Sequence, residues 1–256
     1  MARVLYLDCF SGASGDMLIG ALLDAGLPFD LLREALGSLA LDDECAVSVE
    51  RVSRSGVGAA KFIVTETDAD RGSHRHRHLP GITKLVDRSA LSTDAKARAN
   101  RLFRRLAETE ATIHQMPVEK VHLHEVGALD SIVDIVGGVF GLEWFGAERI
   151  VASPLNVGSG TVVCEHGTLP VPAPATAALL KGVPVYATGP PGEKVTPTGA
   201  LLVTEFADEF GVMPSMRIEH IGYGAGTRDP KDYPNVLRVL VGDTDAASAS
   251  DRITVV

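Results

Sequence analysis

The sequence predicts a mixed α+β fold, with an α/β doubly wound sheet as the alternative. Alternating apolar residues predict short strands near both ends of the chain, and residues 46–52 and 59–67 are spaced as the two strands of a hairpin. Longer stretches with apolar residues at helical spacing lie between the ends. Because strands and helices do not alternate strictly, as a doubly wound sheet would require, the α+β arrangement is favoured.

Length and composition indicate a globular protein with a sizeable core. The chain has 256 residues, of which 45% are hydrophobic and 22% charged, and its net charge of −9 argues against nucleic acid or anionic membranes as partners. No apolar run is long enough to span a bilayer, and the N-terminus begins a strand pattern rather than a signal peptide. Three widely separated cysteines without C-x-x-C spacing indicate free thiols and a cytoplasmic location.

Shifts in composition divide the chain into four expected segments. Residues 1–67 form an N-terminal α/β unit with an anion-binding loop, and residues 68–80 form a histidine-rich linker with no apolar residue larger than alanine before Leu79. Residues 81–242 form the main α+β unit with a candidate metal site, and the small polar residues of 243–256 form a linker or a frayed end.

The first unit begins with a strand at residues 3–8 and a helix at 17–25, joined by a loop of small residues. Unpaired backbone N–H groups at such a junction can bind an anion, although no Walker or G-x-G-x-x-G pattern is present. An acid at each end could hold a cation beside the anion, or the loop could simply cap the helix. Cys9 is either a packed side chain or a nucleophile. The catalytic candidates here are Asp8, Cys9, Ser11 and Asp16, and the substrate-binding candidates are Gly12, Ser14 and Gly15.

The remaining elements follow from apolar spacing and from breaker residues. The predicted helices cover 28–39, 79–89, 92–115, a central stretch after Gly127, 174–180 and 200–210, the predicted strands cover 149–153 and 236–241, and a glycine-rich turn covers 218–229.

Metal-capable side chains are most concentrated in residues 121–141. His122 and His124 point to the same side of an extended segment, and Glu125 follows them. Asp130 and Asp134 are one helical turn apart and share a face. These five residues are the candidate metal ligands, and a mixed nitrogen and oxygen set suits nickel, zinc or manganese. In the alternative interpretation, the glycines on the same face serve helix packing and the acids cap neighbouring backbone.

Four further groups of residues carry polar chemistry. His74, His76 and His78 alternate with arginines and form either an auxiliary nickel-capture segment or a solvated loop. His166 precedes a rigid proline-rich turn and is a catalytic candidate, whereas packing is favoured for Cys164. Two segments could bind an oxyanion, and their substrate-binding candidates are Thr196, Thr198, Gly224 and Arg228.

Taken in order, these motifs resemble the LarC family, the nickel-insertion proteins for the nickel-pincer cofactor of lactate racemase. The resemblance covers nearly the whole chain. It is carried by residues 8–17 (DCFSGASGDM), the histidine-rich segment, 122–134 (HLHEVGALDSIVD), 166–174 (HGTLPVPAP), 196–199 (TPTG) and 222–228 (GYGAGTR).

The resemblance implies a nickel chelatase or cyclometallase of the lyase class. It would insert nickel(II) into pyridinium-3,5-bisthiocarboxylic acid mononucleotide and would serve lactate racemase apoprotein downstream. Full-length members use CTP with magnesium or manganese through a further C-terminal domain, and this sequence resembles their N-terminal portion. Two other interpretations stay open: a non-catalytic nickel-binding half of a split enzyme, and a metal-dependent phosphoester hydrolase. A homo-oligomer is also compatible with the sequence.

Overall fold

A computed structural model describes residues 2–67, 78–121, 128–164 and 167–244 of the chain. These residues form a seven-stranded mixed sheet, three two-stranded sheets and packed helices, so the predicted α+β class is confirmed. None of the helices in these ranges is long and apolar enough to cross a bilayer.

The strands predicted at residues 3–8, 46–52, 59–67, 149–153 and 236–241 are all present, and the structure adds several shorter ones. Together they are β1 (Ala2–Asp8), β2 (Cys45–Arg54), β3 (Val57–Glu66), β4 (Arg149–Ala152), β5 (Leu155–Asn156), β6 (Gly158–Ser159), β7 (Thr161–Cys164), β8 (Gly167–Pro170), β9 (Val185–Tyr186), β10 (Gly192–Glu193), β11 (Glu209–Phe210), β12 (Arg217–Ala225) and β13 (Val236–Thr244).

The helices likewise match the stretches of helical apolar spacing. They are α1 (Gly15–Asp24), α2 (Phe29–Gly37), α3 (Leu79–Arg88), α4 (Thr93–Ile113), α5 (Ala128–Phe145), α6 (Pro174–Leu179) and α7 (Pro197–Phe206), with a short 3-10 turn at Val118–Lys120.

The large sheet has the strand order β11-β4-β1-β13-β12-β3-β2. β1 pairs in parallel with β4 and antiparallel with β13, so the first and last strands of the described chain are central neighbours. The hairpin predicted from the spacing of β2 and β3 is confirmed, and its two-residue turn at Ser55 and Gly56 has positive φ at both positions, as a tight hairpin requires.

The main core lies between this sheet and the helices. Successive residues of β1 point to opposite faces, so Leu5 and Leu7 pack into the main core while Val4 and Tyr6 pack with Val151 on the other face. α1 contacts β12, β3 and α5, and the loop that precedes α1 is therefore held at the junction of sheet and helices.

Two local predictions were wrong. Most of the glycine-rich segment expected to be a turn is strand β12, because Gly222 and Gly224 make room for a helix against a strand rather than for a change of direction. The helix expected to reach residue 210 ends at Phe206, and Glu209–Phe210 instead pairs with β4 as an edge strand.

Candidate functional site

Backbone hydrogen bonds join the loop between β1 and α1 to the segment that leads into α7. The Ala13 N–H donates to the Lys194 carbonyl at 2.9 Å, and the Thr196 N–H donates to the Ala13 carbonyl at 3.0 Å. A Cβ atom at Gly199 would lie 2.1 Å from the Ala13 oxygen, so only glycine permits this approach. The contact brings the starts of α1 and α7 together.

Three aspartates meet beside this junction, and we call them the aspartate cluster. Asp16 lies in the first turn of α1, and Asp130 and Asp134 lie one turn apart in the first half of α5. The pKa of Asp134 is raised well above its usual range, first by burial and then by the charges of Asp16 and Asp130. The sequence predicted that Asp130 and Asp134 share a face, and the structure adds Asp16 to them.

Contacts from three elements fix the positions of these carboxylates. The Thr198 hydroxyl donates to Asp134 Oδ2 at 3.4 Å and lies 3.0 Å from the Thr196 hydroxyl, which caps α7. The Ser14 hydroxyl donates to Asp16 Oδ1. A Cβ atom at Gly15 would lie 2.4 Å from Asp134 Cγ, so α1 and α5 pack this closely only with glycine there. Ser14, Gly15, Thr196 and Thr198 therefore position the acids.

The negative charges of the aspartate cluster have little positive charge beside them. Burial raises the pKa of Asp130, and the negative charges of Glu66 and Asp16 raise it further. Burial also raises the pKa of Asp16, and Lys61 is the basic residue that opposes this shift. Carboxylates that repel one another in a partly buried place favour either protonation or a bound cation.

The aspartates do not complete a metal site by themselves. Within the described ranges, no three histidine, cysteine or acidic side chains are arranged to hold a metal ion. The other predicted ligands, His122, His124 and Glu125, lie outside the described residues, as do His74, His76 and His166. In the sequence, the first three stand directly before α5. His78 is exposed and precedes α3.

The structure does not bring Asp8 to the cluster. Its carboxylate pairs with the Arg238 guanidinium, with Nε at 3.0 Å from Oδ2, at the end of the paired strands β1 and β13. Next to it, Cys9 is fully buried, and burial raises the pKa of its thiol to about 12. A protonated, inaccessible thiol is a packed side chain rather than a nucleophile. Ser11 is also buried, and its hydroxyl has no hydrogen-bond partner among the described residues.

The remaining substrate-binding candidates are spread over the junction. Gly12 has a φ of 93° and packs on the Lys194 backbone, where a Cβ atom would lie 1.9 Å from the carbonyl oxygen. Gly224 faces α1, since a Cβ there would lie 1.7 Å from the Met17 oxygen. The space beside Gly224 is thus filled by the helix. Arg228 is exposed, and its guanidinium donates to the Glu193 carbonyl at 3.0 Å.

Side chains from neighbouring helices fill the space beside the glycines of α5. Cβ atoms at Gly137 and Gly141 would lie 2.8 Å from methyl groups of Ile19 and Leu22 on α1, and one at Gly138 would lie 2.7 Å from Leu202 on α7. These glycines serve helix packing, as in the alternative interpretation of the face that carries Asp130 and Asp134. The same close packing holds Asp134 against the start of α1.

Sequence reasoning missed a polar network around the Phe10 carbonyl. This oxygen accepts hydrogen bonds from Asn156 Nδ2 at 2.8 Å and from the Tyr233 hydroxyl at 3.1 Å. Lys194 Nζ lies 4.1 Å from the centre of the Tyr233 ring. These residues come from distant parts of the chain, so no local motif could have indicated that they meet.

Comparison with known proteins gives the family. Residues 5–256 match the model of the family described as "Nickel insertion protein". Proteins from two strains of Desulfitobacterium hafniense, named pyridinium-3,5-bisthiocarboxylic acid mononucleotide nickel insertion protein, are 48% identical over 241 residues, which are 94% of this chain and 58% of theirs. A Geobacter metallireducens relative is 44% identical over 255 residues, 99% of this chain and 64% of its own length. No solved structure matches the chain.

These matches place the chain in a class of proteins named for metal insertion. The chain is a member of the nickel insertion protein family. It spans less than two thirds of the length of the curated relatives described above.

Proposed function

We propose that this chain binds nickel(II) and the nucleotide substrate for insertion of nickel into pyridinium-3,5-bisthiocarboxylic acid mononucleotide. The observation that carries the proposal is the aspartate cluster at a junction of three helices. Burial raises the pKa of all three aspartates there, the Asp16 charge raises the pKa of Asp130 and Asp134 further, and the Asp130 charge raises that of Asp134. A divalent cation would relieve that repulsion. The name of the Desulfitobacterium relatives supplies the metal and the substrate.

The nickel site would combine Asp130 and Asp134 with His122, His124 and Glu125, which stand just before α5 in the sequence. Imidazole and carboxylate ligands suit nickel and release it more readily than a thiolate cage would. His74, His76 and His78 would assist in nickel capture. In this assignment nickel is a substrate that the protein must deliver, so moderate affinity is an advantage.

The reaction forms bonds from nickel to two sulfur atoms and to one ring carbon. The ring carbon loses a proton when its bond to nickel forms, so a base must accept that proton. A carboxylate or a histidine close to the metal is the proposed base, and His166 is retained as a candidate. Cys9 is set aside, because its thiol is buried and its pKa is raised to about 12.

The relatives are longer than this chain, which supports the proposal that a further portion takes part in the reaction. Since the chain covers 64% of the Geobacter relative, a C-terminal portion is proposed to act with it, as a further domain or as a separate partner. CTP with magnesium or manganese would be used by that portion, and lactate racemase apoprotein would receive the product. The cytoplasmic location and a homo-oligomeric state stay predictions.

A second candidate is a non-catalytic nickel-binding half of a split enzyme. It is favoured by the share of the relatives' length that this chain covers. It predicts nickel binding without any insertion by this chain. The hydrolase alternative is less favoured, because Asp8 is paired with Arg238 and is not placed to hold a cation with Asp16.

The test is nickel insertion by the purified chain, supplied with the bisthiocarboxylate mononucleotide, nickel(II) and CTP. The reaction is run alone and with a separately produced C-terminal portion of a relative, and it is followed by product mass and by activation of lactate racemase apoprotein. Product in either reaction supports the proposal, and product only with the added portion makes this chain the nickel and substrate half. No product in either reaction, with nickel bound, supports the non-catalytic candidate.

A further inference from the structure

A second charged group of residues lies at the other end of the segment that enters α7. Lys194 Nζ lies over the Tyr233 ring, 4.1 Å from its centre. The pKa of Lys194 is lowered by burial and then by the positive charge of Arg228. The Arg228 guanidinium donates a hydrogen bond to the Glu193 carbonyl at 3.0 Å. We call Lys194, Arg228 and Tyr233 the lysine cluster.

Glycines leave space for both cationic side chains. A Cβ atom at Gly12 would lie 2.6 Å from Lys194 Cβ, and one at Gly158 would lie 3.1 Å from Lys194 Cγ. At Gly192 a Cβ atom would lie 2.5 Å from Arg228 Nη1. The stem of Lys194 and the guanidinium of Arg228 therefore pack against backbone that only glycine leaves open.

In the part of the chain that the structure describes, neither Lys194 nor Arg228 forms an ion pair with a carboxylate. Burial and the neighbouring Arg228 charge together lower the pKa of Lys194. Because the Arg228 charge repels that of Lys194, an anion that accepts hydrogen bonds from both would stabilise the pair. The lysine cluster thus groups positive charges, whereas the aspartate cluster groups negative ones.

We propose that Lys194 and Arg228 bind the phosphate monoester of the mononucleotide substrate, beside the ring of Tyr233. This inference rests on the proposed function and assigns one end of its substrate. A guanidinium can bind two phosphate oxygens and an ammonium can bind a third, so the pair matches a dianionic phosphate. Of these residues, the sequence had indicated only Arg228.

The position of the lysine cluster fits a substrate that reaches the aspartate cluster. Lys194 precedes Thr198 by four residues, which span at most about 14 Å of extended chain, and the Thr198 hydroxyl lies 3.4 Å from Asp134. Phosphate bound at Lys194 would direct the opposite end of the nucleotide towards the acids. The two clusters would thus orient the substrate, with its phosphate at the cations and its ring at the metal.

The experiment measures binding of nicotinic acid mononucleotide, a pyridinium carboxylate with a 5′-phosphate, by titration calorimetry without nickel. Nicotinic acid riboside, which lacks the phosphate, is the second probe. Lys194→Met keeps the aliphatic stem that packs on Gly12 and removes the charge. Lys84→Met, at an exposed lysine of α3, is the matched control.

We expect the wild-type chain to bind the mononucleotide more tightly than the riboside. Lys194→Met should weaken mononucleotide binding by roughly tenfold or more, the scale of a charged hydrogen bond, without changing riboside binding. Lys84→Met should behave as wild type. Equal binding of both probes by the wild type, absent binding of the mononucleotide, or an unchanged Lys194→Met constant would each overturn the assignment.

Nickel binding by the same proteins separates this inference from the proposed function. Lys194→Met should bind nickel as the wild type does, because it leaves all three aspartates in place. A chain that binds the phosphate through Lys194 but binds no nickel would retain this inference and remove the proposed function. A chain that binds nickel but binds the mononucleotide and the riboside equally would retain the proposed function and remove this inference.

Discussion

Replacing Asp134 with asparagine should change stability and nickel affinity in opposite directions. The side chain faces the negative charges of Asp16 and Asp130, and its contact with the Thr198 hydroxyl can be kept by an amide oxygen. Like charges several ångströms apart in a partly solvated site repel by about 1 kcal/mol. Removing two such repulsions should stabilise the metal-free chain by roughly 1–2 kcal/mol, a few degrees in Tm for a protein of this size.

The same substitution should weaken nickel binding by at least about tenfold, because a neutral amide is a poorer ligand than a carboxylate. Both effects are measured on one preparation, by urea unfolding of the metal-free protein and by nickel titration calorimetry. Asp43→Asn, at an exposed turn position, is the control for loss of one negative charge. A destabilised Asp134→Asn chain, or one with unchanged nickel affinity, would refute the reasoning.

Three further predictions concern pH, packing and thiol chemistry. Because folding raises the pKa of the clustered aspartates above the ordinary value of 3.8, the unfolding free energy of the metal-free chain should fall as pH rises from that value through the raised pKa values, while nickel binding strengthens. Gly224→Ala, whose Cβ would lie 1.7 Å from the Met17 oxygen, should cost about 3 kcal/mol or more in urea unfolding, whereas Gly211→Ala, with nothing within 4 Å, should not. Cys9 should resist iodoacetamide at pH 7.5 in the folded chain, as peptide mass spectrometry would show.

Local sequence patterns were sufficient for most of the secondary structure. Apolar alternation and helical spacing indicated the hairpin of β2 and β3 and the helices around the core, because both patterns reflect which face is buried. The glycines of β12 were misleading. Gly222 and Gly224 alternate along a strand and admit the backbone of α1 at the Met17 and Ala21 carbonyls, and that contact depends on residues about 200 positions away.

The candidate site was predictable where its residues share one element. Asp130 and Asp134 lie one turn apart on α5, so their common face follows from helix geometry. Asp16 joins them only through the packing of α1 on α5, which Gly15 permits. Lys194 and Tyr233 meet through tertiary structure alone, and the pairing of Asp8 with Arg238 depends on the register of β1 and β13.

The most direct test of the nickel assignment is X-ray absorption at the nickel edge for the chain loaded with one equivalent of nickel(II). Wild type is compared with the double variant Asp130→Asn and Asp134→Asn. We predict oxygen and nitrogen ligands with imidazole scattering in the wild type, and a changed or lost nickel signal in the variant. Sulfur ligands, or an identical spectrum from the variant, would contradict the assignment of nickel to the aspartate cluster.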